Sequence, residues 1–184
     1  MQVDVPVPDI GGRRAILDLY LGRIRASPDI DPDLLASATP GMTGAMLEAL
    51  VNTAAILAGN RGAASVEWED IEEARDKVWM GPAFRSRSRT EEELRLTAYH
   101  EGGHAITGIL TPHAQRLHKC TILSRGNAGG VTWYLEDDSN LNTRQKILAA
   151  IDVSMGGRVA EELIYGEDGV TTGAGSDMMN ASRA

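Results

Sequence analysis

The 184-residue sequence predicts a mainly α fold with a small β element. Three observations carry this. Apolar residues recur at helical spacing through most of the chain. Capping residues such as Asp9, Thr43 and Thr90 stand ahead of those stretches. Only two short runs read as strands: residues 118–124, with Ile122 and Leu123 apolar, and residues 131–135, rich in β-branched and aromatic residues.

Taken in order, residues 3–8 alternate Val with Asp or Pro and read as the end of a strand or an extended lead-in. Asp9 caps a helix over about 12–25, with Ile16, Leu19, Tyr20 and Ile24 on one apolar face. Residues 27–32 are a turn-rich connection, and a short helix covers 33–38. Pro40-Gly41 breaks it. Thr43 caps a longer helix to about residue 59, with Met46, Leu47, Leu50, Ala54 and Leu57 inward. After a loop at 60–64, a helix over 66–80 is expected to bury Trp68, Ile71, Ala74 and Val78. Residues 1–84 thus form a four-helix module, and 85–89, Arg85-Ser86-Arg87-Ser88-Arg89, read as a solvated linker.

The next helix organises the rest. Thr90 with Glu93 makes a capping box, and three Glu in the first turn suit the helix dipole. The helix runs to about Leu110 and draws apolar surface from Leu96, Tyr99, Ala105, Ile106 and Ile109. It carries His100-Glu101-Gly102-Gly103-His104. Positions i and i+4 share a face, so the two His can close on one metal ion. Glu101 sits beside the open metal position, where it can take a proton from water. A zinc ion would lower the pKa of that water to about 7. Gly102 and Gly103 each cost the helix about 1 kcal/mol relative to Ala. The lack of a Cβ there is expected to let another segment pack close to the metal. Beyond the two strands and their 125–130 connection, residues 136–138 end in solvent. Asn142 caps a helix to about 155, and Gly156-Gly157 weakens or ends it. Residues 158–165 resume helical character, 170–176 form a polar Gly-rich loop, and a further helix begins before Ala184.

Composition narrows the function. A net charge of −8 without a basic block argues against a nucleic-acid partner. Cys120, the single cysteine, cannot form an internal disulfide and reads as a small buried hydrophobe on its strand. His113 and His118 share no face with the motif and read as structural or exposed. Met1 is followed by no apolar signal core, and no run of about 20 apolar residues is present to span a membrane. Lys77, Lys119 and Lys146 follow Asp, His and Gln, so the sequence holds no P-loop for ATP.

Several stretches together resemble one family. They are Val7-Pro8-Asp9-Ile10, Thr39-Pro40-Gly41-Met42-Thr43-Gly44-Ala45, Asp76-Lys77-Val78 and the His100 motif. The most distinctive are Met155-Gly156-Gly157-Arg158-Val159-Ala160-Glu161-Glu162-Leu163 and Thr172-Gly173-Ala174-Gly175-Ser176-Asp177. The chain resembles the FtsH-family ATP-dependent zinc metalloproteases, AAA proteases of the M41 peptidase class, and most closely the mitochondrial i-AAA branch. Met46, Ser124 and residues 127–130 depart from the family pattern. The resemblance implies an AAA lid at 1–84, with the end of a core strand at 1–8. A zincin-like α+β metallopeptidase domain would follow at 90–184, truncated at its C-terminus. The family's membrane segment, large AAA subdomain and peptidase end are not represented.

What the resemblance implies about roles is specific. His100, His104 and Asp177 would hold Zn2+, with Glu101 as general base. Gly44 and Ala45 would lie near the nucleotide, ATP and Mg2+ belonging to the full-length parent. Substrates would be unfolded or membrane-associated polypeptides, delivered through a homo- or hetero-hexameric ring. That ring would be held at a membrane through a segment outside this sequence. The mitochondrial inner membrane is the expected place, with chloroplast or bacterial inner membrane as alternatives. Residues 131–135 would bind substrate by strand addition or serve as an ordinary core strand. On residue grounds three acids compete for the third ligand. Glu161 and Glu162 are neighbours about 100° apart on a helix, so at most one faces the metal. Asp177 follows a Gly-rich loop free to turn inward. The resemblance places the ligand at Asp177, leaving Glu161 or Glu162 to orient a ligand His. Two rival readings remain: a non-catalytic fragment or degenerate subunit that only docks in a ring, and a helical interaction module with a fortuitous motif. As an isolated polypeptide the chain is expected to lack ATPase activity and to show little peptidase activity.

Overall fold

A computed structural model describes residues 6–83, 89–125, 128–136 and 141–184. Its contacts divide the chain into two units, Met1–Pro82 and Ala83–Ala184. As the pattern predicts, the fold is mainly helical with one small antiparallel pair of strands.

The first unit holds α1 (Ile10–Leu21), α2 (Pro32–Ser37), α3 (Gly44–Asn60) and α4 (Trp68–Met80). Asp9 and Thr43 cap α1 and α3 through their side-chain oxygens. Asp31 caps α2 ahead of Pro32, whose missing N–H costs nothing at that position. Glu67 and Asp70 form the capping box of α4. Two boundaries differ from expectation, and one pairing bears on both. Ala26 pairs with Val66 in a parallel bridge, through Ser27 N to Val66 O at 2.8 Å and Val66 N to Arg25 O at 2.8 Å. That pairing takes residues 25–27 and 66 out of helical conformation. The inward faces also shift. Leu17 is fully buried and Leu19 is exposed, while Ile16, Tyr20 and Ile24 only flank the core. In α3, Leu47, Leu50, Val51, Ala54 and Ala58 are buried, and Met46 and Leu57 are peripheral. Ile71 and Ala74 are the buried apolar residues of α4, with Trp68 and Val78 at the edge.

The second unit holds α5 (Glu91–Leu110), β1 (Leu117–Thr121), β2 (Val131–Tyr134), α6 (Arg144–Tyr165) and α7 (Gly175–Arg183). Thr90 and Glu93 close the capping box of α5 reciprocally. The strands are shorter than their apolar runs and pair with Thr121 opposite Val131 and Cys120 opposite Thr132. Cys120 lies on the exposed side, so its reading as a buried hydrophobe is corrected. The linker residues 85–88 and the acidic pair 137–138 lie outside the described residues. Arg89, at the linker's end, is not a solvated charge. Its guanidinium donates to the Ile122, Gly129 and Glu93 carbonyls and to the Ser124 and Thr97 hydroxyls, tying the start of α5 to the 122–129 segment.

Thr143, not Asn142, caps α6. The helix then continues unbroken through Gly156-Gly157. The reason is tertiary. A Cβ on Gly103 would overlap the Gly156 carbonyl, and one on Gly156 would lie 2.7 Å from the Gly103 carbonyl oxygen. The glycines therefore mark the close crossing of α5 and α6 rather than a helix end. Gly102, in contrast, faces open space, so only Gly103 serves close approach. Helix α5 buries Glu101, His104 and Gly108, while Tyr99, Ile106 and Ile109 are exposed. Its inward face is thus chosen by polar groups, which hydrophobic periodicity does not report. The expected 170–176 loop is a single 3-10 turn, Thr172–Ala174, followed at once by α7.

Candidate metal centre

On α5, His100 and His104 stand one turn apart with their Nε2 atoms 3.2 Å from each other. Each ring is held by its other nitrogen. His100 Nδ1 lies 2.7 Å from Glu161 Oε1, and His104 Nδ1 lies 2.8 Å from the Val153 carbonyl oxygen. Both partners are acceptors, so both Nδ1 atoms donate, and in the neutral ring each Nε2 keeps a free lone pair. The first turn of α7 brings a third acceptor. Asp177 Oδ2 is 3.2 Å from His100 Nε2 and 3.4 Å from His104 Nε2, is buried, and receives no hydrogen bond.

Three acceptors facing one another without a donor repel unless something positive sits among them. A tetrahedral ion with bonds of about 2.0–2.1 Å spaces its ligand atoms roughly 3.3 Å apart, which matches the observed separations. The three groups also perturb one another. Burial raises the Asp177 carboxyl, but the adjoining His100 and His104 outweigh it and hold it well below the usual carboxylate range. Burial lowers both imidazoles, yet the Asp177 carboxylate outweighs this and each ends above its ordinary value. The residues present fit a divalent cation.

Glu161 secures this arrangement from two sides. It is 1 % exposed, meets His100 through Oε1, and accepts the Thr171 backbone N–H at 2.6 Å through Oε2. The Thr171 hydroxyl donates to Oε1 at 3.2 Å. One carboxylate thus links His100 to the segment that leads into Asp177. Glu162 points elsewhere, exposed and near Arg158 at 3.7 Å. His113 is exposed with φ 67°, and neither it nor His118 lines the cavity. Gly44 and Ala45 lie in the other unit, in the first turn of α3 behind the Thr43 cap.

Glu101 is 6 % exposed and lines the same cavity of about 480 Å³ with His100, His104 and Asp177. Its Oε2 accepts the Thr132 hydroxyl of β2 at 2.6 Å. Burial pushes the carboxyl up, countered in part by that hydrogen bond and the two imidazoles. Two residues further along the same face of β2, the Tyr134 hydroxyl donates to the His104 carbonyl at 2.8 Å. Gly130 gives the strand room, since a Cβ there would lie 2.7 Å from Glu101 Cγ. Sequence reasoning missed Thr132, Tyr134 and Thr171. Their polar groups on a short strand and turn carry no signal of what they face.

Residues 87–184 match the family described as peptidase family M41, and residues 29–73 match the AAA+ lid domain. The chain is 47% identical over 182 residues to the ATP-dependent zinc metalloprotease FtsH of Rickettsia felis, covering 98% of this chain and 29% of that protein. It is 47% identical over 184 residues to the ATP-dependent zinc metalloprotease YME1L1 of Mus musculus, covering 100% of this chain and 26% of that protein. It therefore spans less than a third of the length of these relatives.

Proposed function

The chain belongs to peptidase family M41, and from that membership we propose that it serves in an ATP-dependent zinc metalloendopeptidase acting on unfolded or membrane-associated polypeptides. The observation that carries the reading is the convergence of His100 Nε2, His104 Nε2 and Asp177 Oδ2 at 3.2–3.4 Å, with both Nδ1 atoms already committed. His100, His104 and Asp177 would hold the ion, and Glu161 would fix the tautomer of His100 and the approach of Asp177. Zinc, when bound, supplies Lewis acidity that acidifies water and polarises a carbonyl. Glu101 takes the proton of the attacking water at a carboxylate oxygen and passes it to the leaving amine. Thr132 aims that carboxylate. Burial raises the carboxyl, which suits a group that must accept and then release a proton.

In this reading residues 1–84 are an AAA lid, with Gly44 and Ala45 near the nucleotide, 85–89 a linker, and 90–184 peptidase. ATP and Mg2+ would be held by a P-loop core, which residues 1–184 do not contain. Polypeptide would reach the cavity through a hexameric ring and lie along β2, whose backbone pairs on one side with β1. No helix of the described residues is long and apolar enough to cross a membrane, so a membrane anchor would lie outside them. Identity is equal to the bacterial and mouse relatives, and the mitochondrial inner membrane is the proposed location.

The test is a zinc titration of single variants of the 184-residue chain. Asp177→Ala, His100→Ala and His104→Ala should each weaken binding by an order of magnitude or more. Loss of zinc in Glu161→Ala with full retention in Asp177→Ala would overturn the ligand assignment.

A further inference from the structure

We propose that Gly157 is a positioning residue whose missing side chain lets the two imidazoles converge on the metal point. The inference rests on the metal-centre reading above and adds the element that shapes it. Val153, Gly157 and Glu161 are spaced i, i+4, i+8 and so form one stripe of α6. The Val153 carbonyl holds His104 Nδ1, and the Glu161 carboxylate holds His100 Nδ1. Between those two acceptors the rings lie against position 157. A Cβ there would fall 2.6 Å from His100 Cε1, 2.6 Å from His104 Nε2 and 2.8 Å from His100 Nδ1. No real Cβ contact is that short, so something must move.

What moves differs among the glycines of this crossing. At Gly103 and Gly156 the obstacles include the backbone of the facing helix, beside Ala160 Cβ and Thr107 Oγ1 respectively. A side chain there forces α5 and α6 apart and costs the fold. At Gly157 the obstacles are the far ends of two side chains, and the side chains can turn away. Turning breaks the Nδ1 bonds to Val153 and Glu161 and swings both Nε2 atoms off their common point. Substitution at 157 therefore falls on the site and spares the helix packing. Gly102 meets nothing within 4 Å and serves as the control.

The experiment compares Gly157→Ala, Gly103→Ala and Gly102→Ala in the 184-residue chain. Each is melted without metal, titrated with zinc against a chelator, and loaded with Co2+ for its visible d–d absorption. Gly157→Ala should melt near the wild-type temperature without metal. It should lose zinc affinity by about tenfold or more, the scale of losing a ligand-orienting partner, and show an altered cobalt spectrum. Gly103→Ala should melt lower without metal, and Gly102→Ala should match wild type in every readout. A smaller loss of zinc affinity in Gly157→Ala with an unchanged cobalt spectrum overturns the proposal. So does metal-free destabilisation as large as that of Gly103→Ala. Equal zinc affinity in wild type and His104→Ala would overturn the metal centre itself, a result separable from the glycine comparison.

Discussion

The two units bury different things. Among the described residues, all buried hydrophobics except Leu135, Ala149 and Ala174 belong to residues 6–82. There α1, α3 and α4 close over an aliphatic cluster of Leu17, Leu35, Leu47, Leu50 and Ile71. The second unit instead buries Glu101, His104, Glu161, Ser124 and Arg125, and leaves Ile106, Ile109, Leu110 and Leu163 exposed. The first unit also buries Arg13, Thr39, Asp70, Arg75 and Asp76, but around a continuous hydrocarbon cluster. The second has little buried hydrocarbon among its described residues, and relies on its hydrogen bonds and on glycine contacts between helices. Tolerance should differ accordingly: the first unit should respond to lost volume, the second to lost geometry.

The largest expected effect tests the second half of that contrast. Glu101→Gln keeps size and the Thr132 contact but cannot act as a base. In a chain extended with the ATPase core and peptidase end of a full-length relative, casein degradation should fall by about 10²–10⁴, the usual range for a general acid–base. Zinc content and ATP hydrolysis should hold. Undiminished proteolysis would remove Glu101 from the chemistry. In the first unit, Leu50→Ala empties a fully buried position and should cost about 2–5 kcal/mol of stability. Urea unfolding followed by hydrogen exchange of α3 and α4 reads that loss. A cost near zero would mean this core collapses freely around the lost volume.

The same contrast explains what the sequence shows and what it hides. Caps at Asp9, Thr43 and Thr90 follow from chemistry within three residues, and the helices begin where that chemistry puts them. The His100–His104 pair follows from helical spacing alone. Gly156-Gly157 reads as a break because Gly lowers helix propensity, yet packing against Gly103 overrides propensity and the helix continues. The exposed Ile106 and Ile109 mislead for a related reason, because α5 turns its polar motif inward. Thr132 and Thr171 act across 31 and 10 residues of sequence, and nothing local marks their partners. Only the meeting of α5, β2, α6 and α7 shows what they hold.

A smaller effect sharpens the claim that geometry dominates the second unit. Thr132→Val is close to isosteric and removes one hydrogen bond to a charged group, worth about 1.5–3 kcal/mol. In the extended chain kcat should fall by roughly tenfold or more, with KM and zinc content unchanged, and Thr132→Ser should restore it. A matching fall in metal-free stability without a kcat effect would make Thr132 a packing residue only.

The smallest effect lies in the first unit, where charge adds to hydrocarbon. Asp70 accepts from Arg61 through Nε at 3.0 Å and Nη2 at 2.7 Å, and its Oδ2 also accepts the Glu67 N–H at 2.9 Å within the α4 cap. The Arg61 guanidinium holds the Asp70 carboxyl below its usual value, more than burial raises it, and the cap hydrogen bond helps. A carboxyl with a depressed folded-state pKa is protonated first in the unfolded chain. Its stabilisation is therefore complete above the ordinary value of about 3.9, and is lost as pH falls from there through the lower folded value. Arg61 is partly exposed, so water and salt screen the pair and keep the effect small. Asp70→Asn keeps an acceptor for the cap but cannot titrate. The stability gap between wild type and Asp70→Asn, read by hydrogen exchange of α3 and α4, should be constant above about pH 5 and narrow below about pH 4. Added salt should narrow it at every pH above that. A gap that ignores both pH and salt would mean that Asp70 acts through cap geometry alone, and the charge of the Arg61 pair would add nothing to the first unit.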